Sequence, residues 1–254
     1  MMKLLFGSGI ILLSVAMSGC GGTKVLKQSE PLVVTQPLAT ASDQHLSVTL
    51  DWVIVRDGPG TWAKNVDWDE YLLRVQNLGD DSIRVTNIAV LDSLGTRIEP
   101  GDSRKQLVKG TKKTKRRYKS EGLKVKAGVS PGILLAAGAV TAVTVVSAGS
   151  AVALGGSALA AGVATGLLLV PVLAVGGVFR GVNNSKVNNQ IEFRQTLLPV
   201  ELQDEVENSI HVFFPLAPSP RQLELTYVDS RGEHTLIVDT QVALDGLHLL
   251  QAEE

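Results

Sequence analysis

Strict alternation of apolar and polar side chains begins just after His45. Leu46, Val48, Leu50, Trp52 and Ile54 fall on one side, and Ser47, Thr49, Asp51 and Val53 on the other, the pattern of a strand with one buried face. Asp57-Gly58-Pro59-Gly60 ends it, since glycine and proline break pairing and turn the chain. Residues 71–77 predict a second strand and Leu78-Gly79-Asp80-Asp81 a turn. Residues 83–91 predict a third, which Ser93-Leu94-Gly95 turns into a short fourth at 96–98. Strands so closely spaced predict an antiparallel sheet.

Strand signals resume only near residue 190. Residues 190–198 alternate Ile191, Phe193 and Thr196 with polar neighbours, which predicts a strand, and Pro199 opens a short predicted helix through 206. Further strands are predicted at 210–214, 223–227 and 235–239, joined by the proline-rich run 215–220 and by the turn Asp229-Ser230-Arg231-Gly232. The two halves together supply roughly seven or eight strands, as in a two-sheet sandwich. Neither half has enough strands to close both faces. The fold class expected is mainly β with an α insertion: a split antiparallel β-sandwich, residues 45–101 and 188–250, interrupted in the middle. The pattern resembles immunoglobulin-like domains of exported bacterial proteins, which implies an architecture and no particular activity.

The interruption is unusual. From 127 to 179 there is not one charged side chain, about twice the roughly 20 residues that carry a helix across a bilayer. Gly155-Gly156-Ser157 is a natural reversal point, so the segment 127–180 reads as a glycine-rich hydrophobic helical hairpin with arms at about 131–154 and 158–179. Ser130 and Pro131 suit a helix start, and Pro171 suits a kink. Gly, Ala, Ser and Thr make up about half of it; Gly162 and Gly166 form a GxxxG pair, and Ala151 and Gly155 continue the small-residue theme. Small residues let helix backbones approach closely in lipid. Two readings follow: a hairpin inserted in a membrane, alone or self-associated, or one packed against the sandwich or a partner protein.

The net charge of -1 hides a strong asymmetry. In the segment 102–126 the basic residues from Arg104 to Lys126 number eleven of the chain's 24, and the only acid among them is Glu121. Its centre, Lys112, Lys113, Lys115, Arg116, Arg117 and Lys119, lies just before the apolar insertion, where cations are drawn to the anionic headgroups of a lipid bilayer. Arg180, Lys186 and Arg194 add charge on the returning side. The rival readings are a nucleic-acid patch, out of place in an exported protein, and a solvated loop.

Export is suggested by the beginning of the chain. Lys3, the apolar stretch 4–17 and the sequence Met17-Ser18-Gly19-Cys20 have the layout of a secretory signal. The ending resembles the lipobox of bacterial lipoproteins. That resemblance implies a signal peptide over 1–19, cleavage before Cys20 and acylation of that cysteine, palmitate included. Residues 20–44, with Pro31 and Pro37, then read as a tether. Gly21 stands where aspartate would signal inner-membrane retention, so the resemblance implies the outer membrane, facing the periplasm. Cys20 is the only cysteine, and the body has no disulfide to rely on.

Chemistry is sparse. His45, His211, His234 and His248 are scattered, with no metal-ligand spacing. Asp67-Trp68-Asp69-Glu70 lacks the ligand spacing of a calcium loop and reads as a solvated turn, while Trp52 falls on the buried stripe. No catalytic residue, metal site or cofactor site emerges, and no nucleic-acid partner. The expectation is a non-enzymatic envelope lipoprotein, a structural or protein-interaction component, possible as a homo-oligomer. The alternatives are an oligomeric transport or secretion channel and a carbohydrate-binding sandwich.

Overall fold

The computed structural model describes residues 36–128, 184–203 and 206–250, with short pieces at 26–27, 29, 32–34, 139–140 and 168–169. In chain order the elements are β1 (Val33–Val34), β2 (Ala39–Ser42), β3 (Leu46–Ile54), β4 (Trp68–Asn77), β5 (Ile83–Leu91), β6 (Arg97–Ile98) and α1 (Arg104–Ser120). They continue with β7 (Ala139–Val140), β8 (Leu168–Leu169), α2 (Asn184–Arg194), β9 (Val200–Leu202), β10 (Glu207–Pro215), β11 (Gln222–Asp229), β12 (Gly232–Asp239) and α3 (Gln241–Leu244).

The body is two antiparallel sheets. One has the order β10-β4-β3-β2 and the other β12-β11-β5-β6, with β9 pairing the opposite end of β5 from β6. Each sheet joins strands from both sides of the interruption: β4 pairs β10 along its length, and β5 pairs β11. Val48, Leu50, Tyr71, Leu73, Val75, Ile210 and Phe214 from the first sheet meet Val85, Ile88, Val90, Leu223, Leu225 and Val238 from the second in one core. Burying each such side chain contributes roughly 1.5–3 kcal/mol.

The outer face of the first sheet carries a second core. Trp62, Trp68 and Phe213 pack there with Leu107 of α1 and with Val187 and Ile191 of α2. Helix α1 presents Leu107, Thr111, Thr114 and Tyr118 inward, a spacing of three and four that places them on one helical face. Its C-terminus is closed by Gly122 in the left-handed region (φ 74°). There the Leu123 and Gly122 amides donate to the carbonyls of Tyr118 and Lys119, at 2.9 and 3.1 Å, a Schellman-type stop.

Several sequence expectations need correction. Residues 190–198 are not a strand: α2 runs through Arg194, because Val187 and Ile191, four apart, are buried together while Phe193 is 62% exposed. Nor does Pro199 open a helix, since Val200–Leu202 extends to pair with Val85, Arg84 and Ile83. The run 67–70 is not a solvated turn. Trp68, Asp69 and Glu70 are buried in β4, and only Asp67 is part-exposed. The alternation of β3 breaks at a bulge between Leu50 and Trp52, after which Val53 lies opposite Tyr71 and Trp52 opposite Leu72; the inward stripe thus passes from even to odd positions. The tether region 20–44 contributes β2 and buried Leu38 to the sandwich. The basic segment, open to reading as a loop, is helical over Arg104–Ser120.

Of the expected helical hairpin, Ala139–Val140 and Leu168–Leu169 are extended, not helical, because both pair antiparallel with Val33–Val34. The rest of both arms, the reversal at Gly155 and the Gly162–Gly166 pair lie outside the described residues, as does Cys20. Among the described residues no helix is long and apolar enough to cross a membrane.

Helix α1 sits so close to the end of β10 that a β-carbon on Gly110 would overlap the Pro215 ring. Gly110→Ala should therefore lower stability by about 1–3 kcal/mol despite alanine's better helix propensity. Urea denaturation of the two chains checks it; an unchanged or raised midpoint would mean that the helix stands off the sheet.

Candidate anionic-surface site

The inner face of α1 is pinned along its length. At the N-terminal end the Arg104 amide donates to Asn188 Oδ1 of α2 at 3.0 Å. In the middle Thr111 Oγ1 donates to the Asp67 carbonyl at 2.5 Å and accepts from the Leu216 amide at 3.0 Å. Near the C-terminal end the Tyr118 hydroxyl sits 2.8 Å from Ser93 Oγ and 3.2 Å from the Pro218 carbonyl.

The six cations singled out from the sequence divide into two groups. Lys115 and Arg117 turn inward: Lys115 Nζ lies 3.3 Å from Asp67 Oδ1, and Arg117 pairs with Asp92, whose side chain is fully buried. Asp92 also accepts through Oδ1 from the amides of Leu94 and Thr96, so Arg117 neutralises a carboxylate that shapes a turn. Lys112, Lys113, Arg116 and Lys119 are exposed, and Lys105 and Lys109 join them. None of these six makes an ion pair among the described residues.

No acid interrupts this face, for the sequence from Ser103 to Ser120 contains no Asp or Glu. Lys105–Lys109, Lys109–Lys113 and Lys112–Arg116 are four apart, and Lys109–Lys112 and Lys113–Arg116 three apart. Like charges at these spacings destabilise a helix by about 0.2–0.5 kcal/mol per pair, less at high salt. The first turn also carries Arg104 and Lys105 where the helix dipole prefers acids. The helix holds its shape through its inner anchors while its outer face carries like-charge repulsion with no protein counter-ion among the described residues.

One flank of that face is concave. A groove of about 610 Å³ runs between α1 and the loop at 99–101, lined by Lys109, Lys112, Lys113 and Arg116 above a floor that includes Pro100, Gly110 and Pro215. Its single acid, Glu99, is engaged by Arg97 and by Asn87 Nδ2, the latter at 3.3 Å.

Two further polar clusters lie on β4, at Glu70 and at Asp69. Glu70, with its side chain only 2% exposed, lies 3.0 Å from His211 Nδ1, and accepts from Arg194 Nε at 3.0 and 3.1 Å and from Trp62 Nε1 at 2.9 Å. Burial by itself would push the Glu70 carboxyl up. The His211 hydrogen bond and the charges of Arg194 and His211 outweigh that and hold it below its ordinary value of 4.5. His248 Nε2 lies 2.8 Å from Asp69 Oδ2, and neither side chain has exposed surface. Burial raises the Asp69 carboxyl, against the opposing pull of His248. The charged pairs join elements remote in sequence, and of their members His211 keeps the most exposed surface, 21% of its side chain. The sequence reading missed them because the charged partners Arg194, His211 and His248 lie more than 120 residues from the carboxylates they meet. Among the described residues no three His, Cys, Asp or Glu side chains converge as metal ligands.

Compared with known proteins, the chain matches no family model, no curated protein and no solved structure.

Two outcomes follow from this geometry. Lys113→Glu places an acid between exposed Lys109 and Arg116, so it should raise stability slightly, by about 0.2–0.5 kcal/mol per new pair, read as a higher urea midpoint. A fall would show that the outer face is not under repulsion. For Glu70, a lowered carboxyl value means stability that is present above 4.5 and lost as pH falls through the folded-state value. Glu70→Gln should cost about 3–5 kcal/mol at pH 7 by leaving Arg194 uncompensated, and the gap to the native chain should narrow as urea midpoints are taken down to about pH 3.

Proposed function

We propose that this protein is a non-enzymatic lipoprotein of the cell envelope, held by a lipid on Cys20 and laid against an anionic bilayer by the outer face of α1. The observation that carries this reading is the face itself: six exposed cations with no acid among them, on a helix whose end precedes an uncharged stretch of 53 residues at 127–179 by only a few residues. Such cations contribute roughly 1 kcal/mol each when close to an anionic surface. The uncharged stretch then adds a second, apolar attachment to the membrane. The two antiparallel sheets support reading the body as an immunoglobulin-like sandwich that serves as a structural or protein-interaction module, at the outer membrane and facing the periplasm. Lys115 and Arg117, committed to Asp67 and Asp92, belong to the scaffold of the face and not to its contact surface.

The full chain expressed in a Gram-negative host should incorporate labelled palmitate, and Cys20→Ala should not. The purified chain should pellet with phosphatidylglycerol vesicles and not with phosphatidylcholine vesicles. Lys112→Ala with Arg116→Ala should weaken that binding about thirtyfold, two charges at roughly 1 kcal/mol each. Absence of label overturns the lipoprotein reading. Equal pelleting with both lipids overturns the electrostatic one.

A further inference from the structure

A flat array of lysines on a helix attracts any anionic surface, but this array borders a cavity. Lys109, Gly110, Lys113 and Arg116 follow one another at intervals of one, three and three residues and line one side of the groove, with Lys112 beside them. At 1.5 Å per residue the cations extend about 10 Å along the helix from Lys109 to Arg116. The opposite wall and floor are of another character: Pro100, Gly101 and Pro215 offer no charge. Gly110 deepens the floor, because any side chain there would collide with Pro215. Glu99 is bound to Arg97 and does not neutralise the lysines. The groove therefore joins a cationic wall, whose charges lack protein counter-ions among the described residues, to an apolar floor.

We infer that this groove is a stoichiometric site for an anionic phospholipid, the phosphate monoester or diester lying against Lys109, Lys113 and Arg116 and the first part of an acyl chain crossing Pro100 and Pro215. The inference rests on the membrane-surface reading above and narrows it from a delocalised attraction to one bound lipid. A phosphate held by two or three cations gains charge-assisted hydrogen bonds that a passing headgroup does not. Removal of the chain's initial segments over the proline floor from water adds an apolar contribution that inorganic phosphate lacks. The volume of about 610 Å³ suits a headgroup with part of a chain and not a whole lipid, whose tails would remain in the bilayer.

The test separates the two levels. Calorimetric titration of the full chain with dihexanoyl phosphatidic acid, below its micelle concentration, should give saturable binding of one lipid per chain. Lys113→Ala with Arg116→Ala should weaken it at least tenfold. Lys64→Ala with Arg221→Ala, which removes equal charge from exposed positions elsewhere, should alter it less than twofold. Dihexanoyl phosphatidylcholine should bind at least tenfold more weakly, and inorganic phosphate likewise. Circular dichroism of the variants checks that the helix persists, and Lys113→Arg should restore binding lost in Lys113→Ala.

Vesicle pelleting without saturable binding of the short-chain lipid would overturn the groove and leave the surface reading intact. Inorganic phosphate binding as tightly as the lipid would overturn the role of the apolar floor. Equal losses in the two double variants would mean that net charge alone is sensed. Failure to bind either vesicles or short-chain lipid would overturn both readings together.

Discussion

The antiparallel register between β4 and β10, from Gln76 opposite Glu207 to Trp68 opposite Pro215, is the constraint on which the other features depend. It joins strands about 130 residues apart in sequence, and the loop closed by that pairing contains α1, the whole apolar stretch and α2. Closing so long a loop is costly in entropy, though the cost grows only slowly with length. What offsets it is burial on both faces at once. Tyr71, Leu73, Val75, Ile210, Val212 and Phe214 face the second sheet, while Trp68 and Phe213 supply the platform for the helices. A slip of one residue in this register would exchange the two faces. Leu107 and Ile191 would lose their aromatic platform, and the Glu70–His211 contact would come apart.

That platform explains how so basic a helix exists. A segment with nine Lys and Arg residues in seventeen and no acid would be a poor helix in isolation, since its like charges oppose folding and its first turn opposes the dipole. Here tertiary packing decides. Leu107 and Tyr118 are fully buried, Thr111 and Thr114 nearly so, and Arg117 is spent on a fully buried carboxylate. The division of labour is residue by residue: the charges that stabilise the helix are the two facing inward, and the exposed six oppose it.

Legibility in the sequence followed the same physics. Strands with one face in the core, such as β5 and β11, were plain from alternation, and so was the pairing of two incomplete halves. The strands covered on both faces were harder. In β4 the acids Asp69 and Glu70 suggested a solvated turn because their partners, His248 and Arg194, are supplied from more than 120 residues away. Beyond its bulge β3 is buried on both sides, so alternation there no longer identifies a face. Helix α2 was missed because Ile191 and Phe193 mimic period two, whereas the contact that matters is between Val187 and Ile191 and the platform. The candidate site was visible as a cluster of charge. Its helical form was concealed by threonines at two of four inward positions, and the inward turn of Lys115 and Arg117 depends on Asp67 and Asp92, which no local pattern reveals.

The placement of α1 also bears on the stretch that follows it. On the entry side, Val125 bridges Leu249, the Lys126 amide donates to the His248 carbonyl and the Leu250 amide to the Lys124 carbonyl, so the stem is tied to the end of the chain. His248, held in turn by buried Asp69, fixes that tie to the start of β4. On the exit side, α2 is tied to the first turn of α1 by Asn188. The described residues that flank the uncharged stretch are therefore anchored on both sides, one to residues 248–250 and the other to the first turn of α1. The flanks of the apolar segment are thus held to the same body that carries the positive face, through the pairing that closes the sandwich.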